Sequence, residues 1–218
     1  MNTKKVAVGG IVILVIAAFV LGVSLYRKQT QSAQDQTVRA EQSRLVRMHS
    51  PVLGPQDAPV TIVEFFDPAC ETCRAFYPIV KNLMAQYPDD VRLVIRYAPF
   101  HQGSDQVVKL LQAAKRQGLY QPVLEAVLLA QPTWADHGRP KPELTFEIAK
   151  AAGLDMQRAR EDMGRPEMQA LLAQDVEDLT ALQVGQTPTF FVNGRSLPSF
   201  GRDQLAALVA EEVAKAKR

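Results

Sequence analysis

The stretch Val60-Thr61-Ile62-Val63-Glu64-Phe65-Phe66-Asp67-Pro68-Ala69-Cys70-Glu71-Thr72-Cys73 decides how this chain of 218 residues is read. Val60 to Phe66 is a near-continuous run of apolar, β-branched and aromatic residues, the pattern of a strand buried on both faces. Asp67-Pro68-Ala69 breaks that run. From Cys70 the spacing changes, and Phe76, Ile79, Val80 and Leu83 recur at helical intervals up to Tyr87-Pro88. Val91 to Ala98 is the next strand. Strand, helix, strand over this span is a βαβ unit with parallel neighbours and a right-handed crossover.

Working outward, Leu45 to Val52 reads as a first short strand or an extended entry, followed by the turn-rich loop Gly54 to Pro59. Downstream, Ser104 to about Gln183 is almost wholly helical in pattern. Ser104 or Asp105 is the expected cap of its first helix and Gly118 the expected end. Pro122 suits the first turn of the next helix, Val123 to Ala130. Gln131 to Pro142 reads as a loop whose Trp134 buries part of its ring. Glu143 to Ala152, Asp155 to Met163 and Pro166 to Gln183 are further helices. The pattern then returns to β: Thr189-Phe190-Phe191-Val192 is a strand, Asn193-Gly194 is a type I′ hairpin signal, and Arg195 to Phe200 is the partner strand. Arg202 to Lys217 closes as an amphipathic helix. The expected fold class is therefore α/β, a central sheet flanked by helices, with a helical subdomain inserted at about 104–183.

Cys70 and Cys73 are the two cysteines of the chain. A disulfide-stapled domain would carry more, spread more widely, and two thiols cannot complete a four-cysteine zinc site. His49, His101 and His137 show no ligand spacing and read as surface or loop residues, so no metal and no cofactor is expected beyond a redox-active Cys70–Cys73 disulfide. Cys70 falls at the start of a helix, where unpaired N–H groups and positive potential stabilise a thiolate. Cys73 lies one turn further in on the same side. The geometry assigns Cys70 the attack on a substrate disulfide and Cys73 the resolution of the mixed disulfide. Glu64 is an acid inside an apolar strand. Either it takes up or relays the Cys73 proton, or it sits at a wet sheet end. Pro188 stands at the first position of a strand, where proline is sterically allowed. A cis Thr187-Pro188 bond there would be a deliberate feature that exposes the Thr187 backbone to an extended substrate.

Charge and hydropathy bound the compartment. The formal net charge is +2, but Lys4, Lys5, Arg27 and Lys28 all lie in the first 28 residues, which hold no acid. Taking those four from 25 basic residues leaves 21 against 23 acids, so no basic stripe serves nucleic acid. Val6 to Tyr26 is an uncharged apolar run, and a membrane helix needs about 20 such residues. The reading is an uncleaved signal anchor over residues 1–28 that crosses the membrane through residues 6–26, against a cleaved signal peptide cut near Ala33. Residues 29–44 form a polar tether, and residues 45–218 form the domain. Lys4, Lys5 and the N-terminal amine favour a cytoplasmic N-terminus. A dithiol pair that exchanges disulfides has its usual work in an oxidising space. The expected location is thus a bacterial inner membrane crossed once, with the domain periplasmic or otherwise extracytoplasmic.

Two motifs, Val63 to Cys73 and Gly185-Gln186-Thr187-Pro188-Thr189-Phe190-Phe191-Val192-Asn193-Gly194, resemble the thioredoxin superfamily, and within it the DsbA-like and DsbG-like proteins. The resemblance spans about residues 50–218 and includes the helical insertion, which looks like the DsbA-type lid. It implies that Cys70 is the nucleophile, Cys73 the resolving cysteine, Pro188 the cis-proline facing them, Thr187 a residue that sets redox character, and Glu64 the buried acid. Strongly oxidising relatives carry Pro-His between the cysteines, whereas this chain has Glu71-Thr72. A carboxylate beside Cys70 disfavours a second negative charge, so a Cys70 pKa above that of a Pro-His oxidase is expected. Thr before the cis-proline also points to isomerase- or reductase-like relatives.

The resulting expectation is a thiol–disulfide oxidoreductase that acts on protein thiols and disulfides, with reductase or isomerase character ahead of oxidase and a membrane or periplasmic redox partner to recycle it. The alternatives are a DsbA-type dithiol oxidase and a non-catalytic, chaperone-like binding module that uses the same cleft. Copper delivery finds only two soft ligands and no Met-rich stretch.

Overall fold

Strand β2 (Val60–Phe66) forms the centre of the sheet because its side chains are apolar on both faces of the pleat. The computed structural model describes residues 3–218, apart from the side chains of residues 3–10 and of Gln34, Asp35 and Arg39. The Met1 amine and the Lys4 and Lys5 charges used to orient the chain lie outside the described residues. Around β2 the described strands are β1 (Val52–Leu53), β3 (Val91–Tyr97), β4 (Thr189–Val192) and β5 (Arg195–Ser196), in the order β1-β3-β2-β4-β5. β2 and β3 run parallel, with Val60 beside Val91 and Phe66 beside Tyr97. β4 runs antiparallel to β2, placing Glu64 opposite Phe190. The crossover between β2 and β3 is helix α2 (Glu71–Gln86). This is the thioredoxin-like arrangement, a mixed sheet flanked by helices.

The helices begin with α1 (Thr3–Ala40). Between α2 and β4 run α3 (Ser104–Arg116), α4 (Tyr120–Leu129), α5 (Gln131–Trp134), α6 (Leu144–Ala151), α7 (Met156–Met163) and α8 (Pro166–Ala181). The chain ends with α9 (Arg202–Ala216). The sheet separates two apolar clusters. On one face Ile62 and Phe66 pack with Cys73, Val80, Leu110, Leu124 and Trp134. On the other Val63 and Phe65 pack with Val38, Leu45, Leu179 and Phe191. Each large side chain sealed in this way contributes about 1.5–3 kcal/mol. Buried Arg96 of β3 pairs with Asp175 and Asp178 of α8, each at 2.7 Å, and so clamps the insertion to the sheet.

Several boundaries differ from the sequence reading. Leu45 to Val52 is mostly not a strand: a 3-10 turn covers Gln42–Arg44 and pairing starts at Val52. Here the chain turns to let Leu45 reach the second apolar cluster. The partner strand in the C-terminal hairpin stops at Ser196 rather than Phe200, since Pro198 has no N–H to continue a ladder. Neither Ser104 nor Asp105 caps α3. Gly103 holds that position at φ 82°, and the Ser104 hydroxyl donates instead to Asp67. Gln131–Trp134 is a helical turn rather than loop. Trp134 is fully buried, and its indole N–H donates to the Val127 carbonyl at 2.9 Å. The segment read as a tether continues α1 to Ala40, where Val38 is buried against the domain. Within α1, Ile11–Val38 is long and apolar enough to cross a membrane, with a mean hydropathy of 2.1 in its most apolar window.

Candidate functional site

The cysteine pair is built at the junction of β2 and α2. Asp67-Pro68-Ala69 ends the strand, and Cys70 takes the N-cap position of the helix in extended conformation, φ −75° and ψ 120°. A side chain at this position faces the unsatisfied N–H groups of the first helical turn. The Cys73 N–H donates to Cys70 Sγ at 3.4 Å. On the other side the Cys70 thiol donates to the Thr187 carbonyl oxygen at 3.4 Å. The Thr187–Pro188 bond is cis. Thus Cys70, Cys73 and Thr187 meet, although 117 positions separate Cys70 from Thr187, and Pro188 follows directly across the cis bond.

The electrostatics divide the two thiols. The Cys70 thiol is pushed down to about 5, chiefly by a hydrogen bond from the Cys73 side chain; burial opposes this, while the Thr187 side chain and the Cys73 and Thr72 backbone add to it. Cys73 is fully buried, and burial, its bond to Cys70 and the Glu64 carboxylate push its thiol far upward. At neutral pH Cys70 is therefore a thiolate, so its bond to the Thr187 carbonyl belongs to the protonated form, and Cys73 is a thiol. Two neighbouring groups pushed apart in this way can divide labour, one able to attack and the other to hold a proton.

Glu64 is on the same face of β2 as Ile62 and Phe66, where the cysteines pack. It is 1% exposed, which excludes the wet sheet end. Among the described residues neither of its carboxylate oxygens has a hydrogen-bond partner. Burial, and then the charge on Cys70, push its carboxyl up to about 8.

Glu71 and Thr72 are both exposed at the start of α2. Glu71 does not face Cys70 as an isolated charge. Its two carboxylate oxygens lie 3.0 and 3.2 Å from Nε2 of His137. The hydrogen bond from His137, against a smaller effect of burial, lowers the Glu71 carboxyl, and the charges of His137 and His101 lower it further.

Three residues to which the sequence reading gave no role in the site shape the loop. Asp67 is fully buried. Its carboxylate accepts from the N–H groups of Ala69, Phe100 and His101 at 2.9, 2.8 and 2.9 Å, meets His101 Nδ1 at 2.7 Å, and accepts from the Ser104 hydroxyl. It ties the cysteine loop to the entry of α3. The visible signal was an Asp two residues ahead of an N–H it can accept from, which is the Asx-turn pattern. Gln131, 1% exposed, donates from Nε2 to the carbonyls of Pro68 at 2.8 Å and Cys70 at 3.0 Å. The third is His137. No local pattern marks Gln131 or His137, because their partners lie more than 60 positions away.

Beside Pro188 opens a cavity of about 390 Å³, lined among others by Gln186, Thr189, Phe190, Leu197 and Phe200. Phe76 of α2 stacks between Phe190 and Phe200 at centroid distances of 5.5 and 4.8 Å. Phe200 is half exposed, so an apolar floor runs from the redox helix into the cavity.

A mixed sheet whose central strand delivers a Cys-x-x-Cys pair to a helix N-terminus, opposite a cis-proline, defines a thioredoxin-like protein. The family described as Thioredoxin matches residues 47–211, and the chain belongs to the thioredoxin superfamily. A solved thioredoxin-like oxidoreductase from Silicibacter pomeroyi DSS-3 is 32% identical, with a TM-score of 0.66 over 78% of this chain and 94% of that one. The thiol-disulfide exchange protein alpha-DsbA2 from Wolbachia pipientis shares the fold at 16% identity, TM-score 0.70, over 86% of this chain and 98% of that one. Among curated proteins, the Na(+)/H(+) antiporter NhaA of Herminiimonas arsenicoxydans is 32% identical over 146 residues. That match takes in 67% of this chain but only 22% of the antiporter.

Proposed function

We propose that this chain is a thiol–disulfide oxidoreductase that exchanges disulfides with protein substrates through Cys70 and Cys73. The observation that carries this reading is the position of Cys70 Sγ, between the Cys73 N–H and the Thr187 carbonyl with its thiol pushed down to about 5. The thiolate of Cys70 attacks a substrate disulfide, a mixed disulfide forms, and one substrate sulfur leaves as thiolate. Cys73 loses its proton to solvent, or to Glu64 in the fraction of molecules in which that carboxyl is ionised. It then attacks Cys70 Sγ, which releases the second substrate sulfur and leaves the Cys70–Cys73 disulfide. The reverse sequence oxidises a substrate dithiol. The cavity beside Pro188 and its phenylalanine floor suit an apolar segment of a partly unfolded client.

The reductase or isomerase direction is supported by the Glu71-Thr72 pair in place of Pro-His, and by Thr187 before Pro188. A second reading, a dithiol oxidase, is favoured by the low Cys70 thiol, since a stabilised thiolate makes the disulfide more oxidising. We place the domain outside the cytoplasmic membrane, held by α1 with its N-terminus inside and recycled by a membrane or periplasmic redox partner. The apolar stretch in α1 supports this. Insulin reduction and refolding of a scrambled client, each with parent and Cys70→Ala, test the chemistry. Loss of both activities in Cys70→Ala is expected. Client refolding retained in Cys70→Ala, with no insulin reduction by either protein, would make the cleft a binding module instead. Thiol alkylation in living cells reads the direction: mostly reduced Cys70 supports reductase or isomerase, mostly oxidised supports oxidase.

A further inference from the structure

Glu71 is the one carboxylate inside the Cys-x-x-Cys motif, and by itself it opposes a thiolate at Cys70. The fold answers it from 66 residues away. The loop after α5 brings His137 Nε2 to 3.0 Å from Glu71. His101, from the loop before α3, lies behind it with ring centroids 5.3 Å apart, and its Nδ1 is anchored at 2.7 Å on buried Asp67. Gly103 makes this meeting possible: its φ is +82°, and a Cβ there would meet Pro142 at 2.8 Å, so any larger residue would push the two loops apart. Of the other charges on the His137 loop, Asp136 turns its carboxylate to the N–H groups of Gly138 and Arg139.

We propose that His137, backed by His101, is the counter-charge that cancels Glu71 and thereby keeps Cys70 reactive, so that the helical insertion tunes the redox centre through a residue outside the motif. His137 is a positioning residue: it acts on Cys70 through Glu71. The inference rests on Cys70 being the attacking thiol. Glu71 and His137 are each more than half exposed, so water and salt screen the pair and its effect on Cys70 is modest.

The test is thiolate titration of the reduced full-length protein in detergent, followed by ultraviolet absorbance. In the parent one step belongs to Cys70, and Cys70→Ser removes it; if the step survives, the assignment of the attacking thiol fails, independently of His137. His137→Gln is expected to raise the midpoint by about 0.5 unit, a threefold weaker thiolate equilibrium. The same substitution in a Glu71→Gln background should leave the midpoint where Glu71→Gln alone puts it. His137→Lys, which keeps a charge, should restore the parental midpoint. A His137→Gln midpoint equal to the parent's, or an equal shift with Glu71 absent, overturns the proposal. Far-ultraviolet circular dichroism of each variant confirms that the comparison is between folded proteins.

Discussion

Replacing Glu64 by Met should stabilise this protein while slowing its chemistry, and the stabilisation should grow with pH. Glu64 is 1% exposed, lacks a hydrogen-bond partner among the described residues, and has its carboxyl pushed up to about 8 from 4.5. A raised carboxylate means that the folded state holds the proton more tightly than the unfolded chain. Below pH 4.5 the group is protonated in both states and costs nothing through ionisation. Between 4.5 and 8 the unfolded chain releases its proton and the folded protein does not, so stability falls as pH rises; above 8 the loss levels off. At about 1.4 kcal/mol per unit, the cost is about 1 kcal/mol at pH 5, about 3 kcal/mol at pH 7 and about 5 kcal/mol at pH 9. Glu64→Met, similar in length and without charge, should recover most of that cost. Urea unfolding followed by the fluorescence of the single, buried Trp134 measures it. Because burial is the larger cause and the Cys70 charge the smaller, the gain should persist, somewhat reduced, in the disulfide form. Stopped-flow resolution of a mixed disulfide should be slower in the same variant near and above pH 8, where Glu64 is ionised and can take the Cys73 proton. A stability difference that stays flat from pH 5 to pH 9 would refute the reasoning.

Other outcomes follow from the same geometry. Cys73→Ser should trap mixed disulfides with client proteins, visible as reducible adducts on gels, because the buried resolving thiol is gone. The rate of iodoacetamide alkylation at Cys70 should rise through pH 5 and then level, since its thiol is pushed down to about 5; a rate still climbing near pH 8.5 would contradict that. The same depression makes the unfolded chain bind the proton more tightly above pH 5. The stability of the reduced form should therefore increase with pH relative to the disulfide form. Gln131→Ala removes donors to two carbonyls of the cysteine loop and should cost about 1–3 kcal/mol in urea unfolding. It should also lower the insulin reduction rate severalfold, since the loop that presents Cys70 loses its grip from α5.

Much of the architecture was legible because it rests on local periodicity. The buried run Val60–Phe66, the helical spacing after Cys70 and the Asn193-Gly194 turn all appear where the pattern put them. The turn residues take φ 47° and 77°, as a type I′ hairpin requires. Boundaries that depended on partners were misplaced. Ser104 looks like a cap in isolation, yet its hydroxyl is drawn to a carboxylate 37 residues away. Trp134 reads as a loop residue from local pattern, but its indole N–H has a carbonyl partner only because α5 folds back on α4.

By itself, the sequence determined the place of the Cys70–Cys73 pair, since a strand break followed by helical spacing sets which residue stands first in the helix. The arrangement around that pair was decided by tertiary structure alone. Folding turned Glu64 from an acid in a strand into a buried carboxyl with no hydrogen-bond partner among the described residues, put Thr187 against Cys70, and made Asp67 the fastening of the loop. It also moved His101 and His137, which share no spacing with the cysteines, to the side of Glu71. The physical reason is range. Dihedral preferences and apolar periodicity act over a few residues, whereas desolvation and charge depend on which distant side chains the packed core brings within a few ångströms.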